Sequence, residues 1–280
     1  MVGGRPYTRG MSSPIAFIGG GNMASAIIGG LLRAGRPPAS LRVIEPYEAQ
    51  RAQLAQQFGV AAQAAPDAAL AEAGLVVWAV KPQLFAEAAA PCQGQLAQAL
   101  QLSVMAGIPT EALVRASGSE RVVRAMPNTP ALIGQGMAGL FARPAVSAED
   151  RKLVEEVLRP TGATLWVERE SQIDAVTALS GSGPAYFFFV VEAMMAAAQE
   201  LGLTAEQGRQ LALSTCAGAA ALGLQSSESP TVLRERVTSK GGTTHAAISS
   251  LQADGVGEAF VRAIRAAEQR ARELGAEFGR

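Results

Sequence analysis

The feature that most constrains the fold is an alternation of short apolar runs with helical stretches, which begins near residue 14 and stops near residue 170. The runs are almost continuously apolar, as is typical of parallel strands covered by helices on both faces. Strands are predicted at 15–18, 41–44, 75–80, 101–106 and 122–126, with 139–142 and 163–167 extending the sheet, and helices at 24–34, 47–58, 82–90, 109–116 and 148–158. The pattern predicts an α/β domain.

A second region follows in which Ala, Leu, Met and Gln dominate and no strand pattern remains. Helices are predicted at 171–180, 184–201, 205–224, 231–238, 244–252 and 256–275. We therefore predict one domain at 14–167 and an all-helical domain at 168–280. Residues 1–13 lack an apolar core and are predicted to be a disordered extension, with Met11 as an alternative start.

The predicted helix 184–201 is apolar on most of its faces. It contains the run Phe187, Phe188, Phe189, Val190 and Val191, followed by two methionines. A helix that is apolar nearly all round must be buried. In a small domain, one way to bury it is against another subunit, so we expect a homo-oligomer.

Composition and charge exclude several classes of partner. Lys plus Arg equals Asp plus Glu at 24 each, which gives no electrostatic case for binding nucleic acid or a membrane surface. No segment reaches the roughly 18 uncharged apolar residues of a membrane span. Cys92 and Cys216 are expected to be reduced thiols, with Cys216 buried, in a cytoplasmic protein. We expect no resident metal ion.

A glycine-rich turn directly follows the first predicted strand and opens the first predicted helix. The sequence Gly19-Gly20-Gly21-Asn22-Met23-Ala24 matches the G-x-G-x-x-A pattern of dinucleotide-binding domains. Gly19 permits the tight turn and Gly21 lets the backbone approach a pyrophosphate, while the helix N-terminus at Asn22 and Met23 attracts phosphate charge. This context predicts nucleotide binding rather than a plain tight turn.

Glu45 stands at the end of the second predicted strand, where dinucleotide-binding domains distinguish NAD from NADP. A carboxylate at this place can accept hydrogen bonds from the ribose hydroxyls and repels a 2′-phosphate, which favours NADH. Arg42 and Arg51 lie close in sequence and weaken that argument, and a solvated glutamate that begins a helix is the alternative. The sequence therefore leaves the choice between NADH and NADPH open.

Two further loops follow predicted strands and are expected to face the cofactor, because ligands of open α/β sheets bind outside the carboxyl ends of the strands. The first loop is Ala79-Val80-Lys81-Pro82. We expect Lys81 either to contact the phosphate or the nicotinamide of the cofactor, or to be solvated without a ligand. In Met126-Pro127-Asn128-Thr129-Pro130, two prolines stiffen the loop. Asn128 can donate and accept, as a nicotinamide ribose or carboxamide requires, and an Asx-turn is its alternative role.

The segment Val237-Thr238-Ser239-Lys240-Gly241-Gly242-Thr243-Thr244 lies between two predicted helices of the second region. Gly241 and Gly242 let the backbone approach a ligand, and Thr243 and Thr244 open a helix whose free N–H groups attract an anion. These N–H groups can form a preformed nest for a carboxylate. The alternative is a glycine C-cap followed by a threonine N-cap.

Five motifs in this order make the chain similar to the pyrroline-5-carboxylate reductases, which catalyse the last step of proline synthesis. The similarity covers about residues 14–275, and the last two motifs are far more specific than the glycine turn. The motifs are FIGGGNM at 17–23, AVKP at 79–82, RAMPNTP at 124–130, LSGSGPAY at 179–186 and TSKGGTT at 238–244.

The resemblance implies a Rossmann-type NAD(P)-binding domain at 14–167 and a helical dimerisation and substrate domain at 168–280. It implies a homodimer, with decamers as a larger assembly, and hydride transfer from NADPH or NADH to the imine carbon of 1-pyrroline-5-carboxylate, which gives L-proline.

By matching motifs, the cofactor would be bound by Gly19 to Met23, Ala79 to Pro82 and Asn128. The substrate would be held by Ser239, Gly241, Gly242, Thr243 and Thr244, with Thr244 hydrogen-bonded to the ring nitrogen. Many members of the family have Pro where this chain has Lys240, which leaves the loop less stiff and adds a charge.

This chemistry needs no strong internal acid, because a cyclic imine can be protonated before hydride arrives. Thr244 would then contribute orientation and hydrogen bonding, and we expect His245 to be non-catalytic. Ser180 and Ser182 line the same pocket or cap two helices. The alternatives are a β-hydroxyacid dehydrogenase-like oxidoreductase, for which Lys240 is the candidate catalytic group, and a non-catalytic NAD(P)-sensing protein.

Overall fold

The computed structural model describes residues 13–278. The predicted disordered extension therefore lies outside the described residues, apart from Ser13. The chain divides into two compact units. The first contains residues 13–182 and 267–278, and the second contains residues 183–266.

An eight-stranded sheet forms the centre of the first unit. Its strands are β1 (Ile15–Ile18), β2 (Leu41–Ile44), β3 (Ala62–Gln63), β4 (Leu75–Trp78), β5 (Leu100–Ser103), β6 (Val122–Met126), β7 (Gly136–Ala142) and β8 (Gly162–Trp166). They lie in the order β3-β2-β1-β4-β5-β6-β7-β8. Every neighbouring pair is parallel except β6 and β7. Since the order reverses at β1, the carboxyl ends of β1 and β4 form a topological switch point, where such sheets bind ligands.

Helices cover both faces of this sheet, as the apolar strands predict. They are α1 (Asn22–Arg33), α2 (Glu48–Phe58), α3 (Phe85–Ala89), α4 (Thr110–Ser117), α5 (Ala148–Leu158) and α6 (Gln172–Val176). Two buried apolar clusters result, and successive residues of β1 belong to them in turn: Ile15 and Phe17 to one, Ala16 and Ile18 to the other. Side chains of a strand point alternately to its two faces, so both faces are buried.

Some predicted elements differ in length or continuity. The predicted helix 82–90 is broken into a 3-10 turn at Pro82–Leu84, the short α3, and a second 3-10 turn at Ala90–Cys92. Each 3-10 turn has proline in its first two positions, where the missing N–H is tolerated. The two-residue strand β3 is too short to leave a periodic pattern, and β7 joins β6 in the antiparallel sense.

The second unit is entirely helical. It contains α7 (Gly183–Glu200), α8 (Ala205–Gln225), α9 (Pro230–Arg236), α10 (Thr243–Ala253) and the first part of α11 (Val256–Phe278), whose residues from Ala267 onward belong to the first unit. Thr204 and Ser229 cap α8 and α9 with their side chains. These caps fix where each helix begins.

The predicted helices 171–180 and 184–201 form one continuous helical segment, Gln172–Glu200. By length and composition alone this segment would be able to cross a membrane, with a mean hydropathy of 1.2. Asp174, Glu192 and Glu200 interrupt this segment, so it contains no run of 18 uncharged residues, in agreement with the sequence-based expectation. The finding is weak evidence for a membrane span, because a helix packed inside a protein passes the same test.

Few side chains of the second unit are buried within one chain. Phe187, Phe188 and Phe189 of α7 are all mostly exposed. Cys216, predicted to be buried, is half-buried instead. The packing expected from the sequence is therefore not completed within a single chain.

Candidate active site

The glycine turn lies at the switch point between β1 and β4. Gly19 has φ +97°, and a Cβ atom at this position would stand 2.8 Å from the carbonyl oxygen of Ala79 and 2.8 Å from Cγ1 of Val80. The N–H of Gly19 donates to Ile44 O at 2.8 Å, and the N–H of Ala79 donates to Ile18 O at 2.8 Å. Only glycine fits, because both the φ angle and the close approach exclude a side chain.

The N-terminus of α1 has the properties of a phosphate site. Its N-cap is Gly21, and no side chain caps it. A Cβ atom added at Gly21 would meet nothing within 4 Å. The first turn, which includes Asn22 and Met23, therefore has no side-chain cap, and there is space beside its N-cap residue. These residues fit the pyrophosphate of a dinucleotide.

Glu45 holds the glycine turn instead of facing solvent. The residue is 6% exposed, so the interpretation as a solvated glutamate is wrong. Its Oε2 accepts a hydrogen bond from the N–H of Gly20 at 2.9 Å, and its Oε1 accepts one from the N–H of Tyr47 at 3.0 Å. The carbonyl of Gly20 accepts from Nε2 of Gln50 at 2.6 Å. The segment that follows β2 thus binds both the N–H and the carbonyl of Gly20.

The loop after β4 packs on the glycine turn through the backbone of Ala79 and the side chain of Val80. Ala79 and Val80 contact the turn at Gly19, whereas Lys81 is exposed and precedes the 3-10 turn that Pro82 begins. The structure therefore brings Ala79, Val80 and Gly19 together. Both roles suggested for Lys81, a contact with the cofactor or solvation, are compatible with its exposure.

Asn128 lies after β6, and its side chain connects three segments of the first unit. Its Oδ1 accepts from the N–H of Met137 at 2.9 Å. Its Nδ2 donates to Ser180 O at 3.3 Å and to Ser180 Oγ at 3.2 Å. No Asx-type cap is formed at Asn128. The amide therefore joins two of the five sequence motifs to each other, and an additional contact with a cofactor stays a prediction.

Ser180 belongs to a π-helical turn, Thr177–Gly181, that directly precedes α7. The N–H of Ser182 donates to Thr177 O at 2.8 Å, which is the wider i to i+5 spacing. Single π turns inside helices occur frequently at functional sites. A Cβ atom at Gly181 would stand 2.6 Å from Cε of Met126, so glycine at this position permits close packing on the end of β6.

A buried arginine attaches the same helical segment to β6. The side chain of Arg124 is 6% exposed, and it reaches Glu170 at 3.3 Å and Asp174 at 3.6 Å. Glu170 also accepts from the N–H and the hydroxyl of Thr110, at 2.7 and 2.6 Å. Burial raises the pKa of Asp174, although the charge of Arg124 opposes that change. Arg124 and Asn128 therefore attach α6 and the π turn to the sheet.

The loop Ser239 to Thr244 lies in the second unit. Gly241 has φ +76°, and the N–H of Gly242 donates to Ser239 O at 3.0 Å. The N-cap of α10 is Gly242, and no side chain caps it. The helix begins at Thr243, so the threonines lie in its first turn and the predicted alternative of a threonine N-cap is wrong. This arrangement leaves the first N–H groups of α10 without a side-chain acceptor, as an anion site requires.

Within the loop, Lys240 and Ser239 are exposed and Thr244 is half-buried, and His245 in the first turn of α10 is exposed. Among the described residues, no group of three or more His, Cys, Asp or Glu side chains is arranged to hold a metal ion.

Two contributions to the site escaped the sequence analysis. The bond from Gln50 to the glycine turn has no sequence signal, since a polar residue in the first turn of a helix is most often solvated. The cluster of Arg124 with Glu170 and Asp174 is also non-local. A charged residue within the otherwise apolar strand β6 was the one signal that indicated it.

Comparisons with known proteins identify the family of the chain. Residues 170–274 match the family model for pyrroline-5-carboxylate reductase dimerisation, and residues 14–107 match the model for NADP oxidoreductase, coenzyme F420-dependent. The pyrroline-5-carboxylate reductase of Pseudomonas aeruginosa is 47% identical over 276 residues, covering 96% of this chain and 100% of that protein.

Solved structures show the same similarity. A pyrroline-5-carboxylate reductase from Coxiella burnetii has a TM-score of 0.87 and 39% identity, covering 94% of this chain and 98% of that chain. The pyrroline carboxylate reductase of Plasmodium falciparum, solved with NADP bound, has a TM-score of 0.83 and 25% identity over 95% of this chain and 99% of that chain. The chain belongs to the pyrroline-5-carboxylate reductase family.

Proposed function

We propose that this chain reduces 1-pyrroline-5-carboxylate to L-proline, the last step of proline synthesis, with NADPH or NADH as the hydride donor. The observation that carries the proposal is the start of α10. A glycine N-cap without a side-chain cap, directly followed by two threonines, provides N–H groups for a small carboxylate in a protein that also has a dinucleotide site. Membership of the family supports the same reaction.

In the first unit, the chain's part is to bind and orient the cofactor. The first turn of α1 receives the pyrophosphate, and the contacts of Gly19 with Ala79 and of Gly20 with Glu45 hold the turn in one shape. A preformed turn does not have to be ordered when the ligand binds, which lowers the cost of binding. The bound reduced nicotinamide supplies the hydride that adds to the imine carbon.

In the second unit, the loop from Ser239 to Thr244 binds the substrate. The N–H groups of Gly241 through Thr244 hold the carboxylate, and the hydroxyl of Thr244 hydrogen-bonds the ring nitrogen. Because the imine is protonated before reduction, Thr244 acts by orientation more than by proton transfer. His245 is exposed and has no catalytic part in this proposal.

The division of labour follows the two predicted domains: 14–167 for the cofactor, and 168–280 for dimerisation and substrate. We extend the proposal to decamers built from the dimer, to a cytoplasmic location, and to the absence of nucleic-acid and membrane partners. The equal numbers of acidic and basic residues support the absence of nucleic-acid and membrane partners.

The two alternatives have less support. A β-hydroxyacid dehydrogenase-like enzyme needs a Lys or His that transfers a proton. Lys240 is exposed on the substrate loop, and nothing in the structure directs it to a reacting group. A protein that only senses NAD(P) has no need of a second anion site at α10.

The test is a turnover assay with the purified oligomer. We expect oxidation of NADPH, of NADH, or of both on addition of 1-pyrroline-5-carboxylate, with proline as product. A small β-hydroxyacid with the oxidised cofactors serves as the control for the dehydrogenase alternative. A folded oligomer that binds cofactor and turns over neither substrate would support the sensing alternative and contradict the proposal.

A further inference from the structure

We propose that Arg51, and not Glu45, determines the choice of cofactor by binding the 2′-phosphate of NADPH, so that NADPH binds more tightly than NADH. This inference rests on the proposed use of a dinucleotide by the first unit. Three side chains near the end of β2 were candidates for this selection, namely Glu45, Arg42 and Arg51. The structure gives each of them a different environment.

Glu45 is already engaged by the protein. Both carboxylate oxygens accept backbone N–H groups, one from Gly20 and one from Tyr47, and the residue is almost completely buried. Two backbone N–H donors stabilise the carboxylate in this position. Glu45 therefore fixes the glycine turn to the end of β2 and does not act as a free acceptor for ribose hydroxyls.

Arg42 is directed elsewhere. It is the second residue of β2, three residues before Glu45, and its Nη2 pairs with Glu72 at 2.8 Å. A ligand at a parallel sheet lies beyond the carboxyl ends of the strands. Arg42 is therefore on the wrong part of the strand to meet the ribose.

Arg51 lies at the right place. It belongs to the first turns of α2, and its Nη1 donates to the carbonyls of Glu45 and Pro46 at 2.9 and 2.6 Å. The guanidinium is thereby held against the turn that directly follows β2, where dinucleotide-binding domains meet the adenosine ribose. Among the described residues these two bonds use Nη1 alone, so Nε and Nη2 remain able to donate.

The free side of this guanidinium matches a phosphate monoester. Arginine presents its donors in a planar fork that binds two phosphate oxygens at once. Since Nη1 is already held by two carbonyls, little side-chain entropy is lost when the phosphate binds. NADH lacks the 2′-phosphate and would leave these donors to water.

The test measures the dissociation constants of NADPH and NADH directly, by fluorescence titration of the full-length protein without imine substrate. For Arg51→Gln we expect NADPH binding to weaken about tenfold or more, as loss of a charge-assisted bidentate contact implies, and NADH binding to change less than about twofold. Arg51→Lys should retain part of the NADPH preference. Arg42→Gln is the matched control and should leave the ratio unchanged.

The substitution Glu45→Gln distinguishes support of the glycine turn from selection between NADPH and NADH. It should weaken both cofactors together, because the glycine turn serves both. Equal weakening of both cofactors by Arg51→Gln would mean that Arg51 only supports the turn, and a selective gain of NADPH binding in Glu45→Gln would assign selection to Glu45. Either result overturns the proposal, as does wild-type protein that prefers NADH or binds neither cofactor. Because no imine is present, failure of the reductase assay leaves this test intact.

Discussion

The two units of the molecule differ in how far one chain can bury its own apolar surface. The first unit has two clusters of buried side chains on either side of its sheet. In the second unit the large apolar side chains of α7 remain on the surface, with Phe189 at 69% exposure. A unit that buries so little cannot offset the entropy of ordering its helices.

This difference shows that the second unit is completed by association. A contiguous exposed apolar surface on a folded chain marks an interaction site. Residues 170–274 match a family model for dimerisation, so the chain self-associates through this unit. The loop at the start of α10, where we propose that the substrate binds, lies in this same unit.

The largest expected effect tests the dependence on association. We expect Phe189→Glu to weaken the dimer at least about a hundredfold, since truncation of a central aromatic contact typically costs 2 kcal/mol or more and a buried unpaired charge adds to that cost. Analytical ultracentrifugation over a range of concentrations measures the change.

The matched control lies in the first unit. Ile133 is 73% exposed there, and Ile133→Glu should leave the dimer unchanged. An intact dimer in Phe189→Glu would mean that this face of α7 is not the interface, and the comparison between the units would then need a different explanation.

A second prediction separates the chemical roles of the units. Thr244→Ala should lower turnover of 1-pyrroline-5-carboxylate about tenfold to a hundredfold, the range expected from a lost orienting hydrogen bond in the transition state. The dissociation constant of NADPH should stay within about twofold, because the cofactor site lies in the first unit. Steady-state kinetics and cofactor titration measure the two quantities.

Thr231→Ala is the control for that substitution. Thr231 is an exposed threonine in the first turn of α9, and its replacement should change neither quantity. Unchanged turnover in Thr244→Ala would remove this hydroxyl from the proposed mechanism.

The smallest effect concerns a polar contact that the first unit makes by itself. Asp150 closes the capping box of α5 with Ser147 and pairs with Arg121 at 2.5 Å. Burial would raise the pKa of Asp150, but the hydrogen bonds from Arg121 and Ser147 hold it below 3.8. Its contribution to stability is therefore present above about pH 3.8 and is lost as the pH falls through the lowered pKa.

We expect Asp150→Asn to lower the free energy of unfolding by about 1 kcal/mol at neutral pH. The difference from wild type should shrink in acid and should not depend on protein concentration, unlike that of Phe189→Glu. Urea denaturation at several pH values measures it. In an Arg121→Gln background most of the difference should disappear, and a difference that persists there would assign the effect to the helix cap alone.

Much of the fold follows from local patterns. Short, mostly apolar runs correctly predict β1, β2 and β6, and the change to strand-free sequence after residue 170 predicts the helical region. Segments without a hydrophobic periodicity of their own were harder to predict from the sequence. The two-residue strand β3 and the π turn at Thr177–Gly181 have no local pattern that would predict them. The predicted helix 82–90 is divided by 3-10 turns that begin near Pro82 and Pro91.

The candidate site divides in the same way. The glycine turn and the loop before α10 could be predicted because both depend on local backbone geometry, namely positive φ at Gly19 and Gly241 and glycine N-caps. The contacts of side chains whose partners are distant in sequence could not be predicted in this way. Glu45 bonds to a residue 25 positions earlier, and Asn128 to one 52 positions later.

By itself the sequence determined the class of fold, the order of the two regions, the positions of the two helix starts that have a glycine N-cap, and the family. These depend on periodicity and on short motifs, which are properties of neighbouring residues. Only the tertiary structure decided what Glu45, Arg51 and Asn128 contact, and that the three consecutive phenylalanines of α7 stay exposed within one chain. Such contacts form between residues that are far apart in the chain, and a local sequence pattern therefore does not predict them.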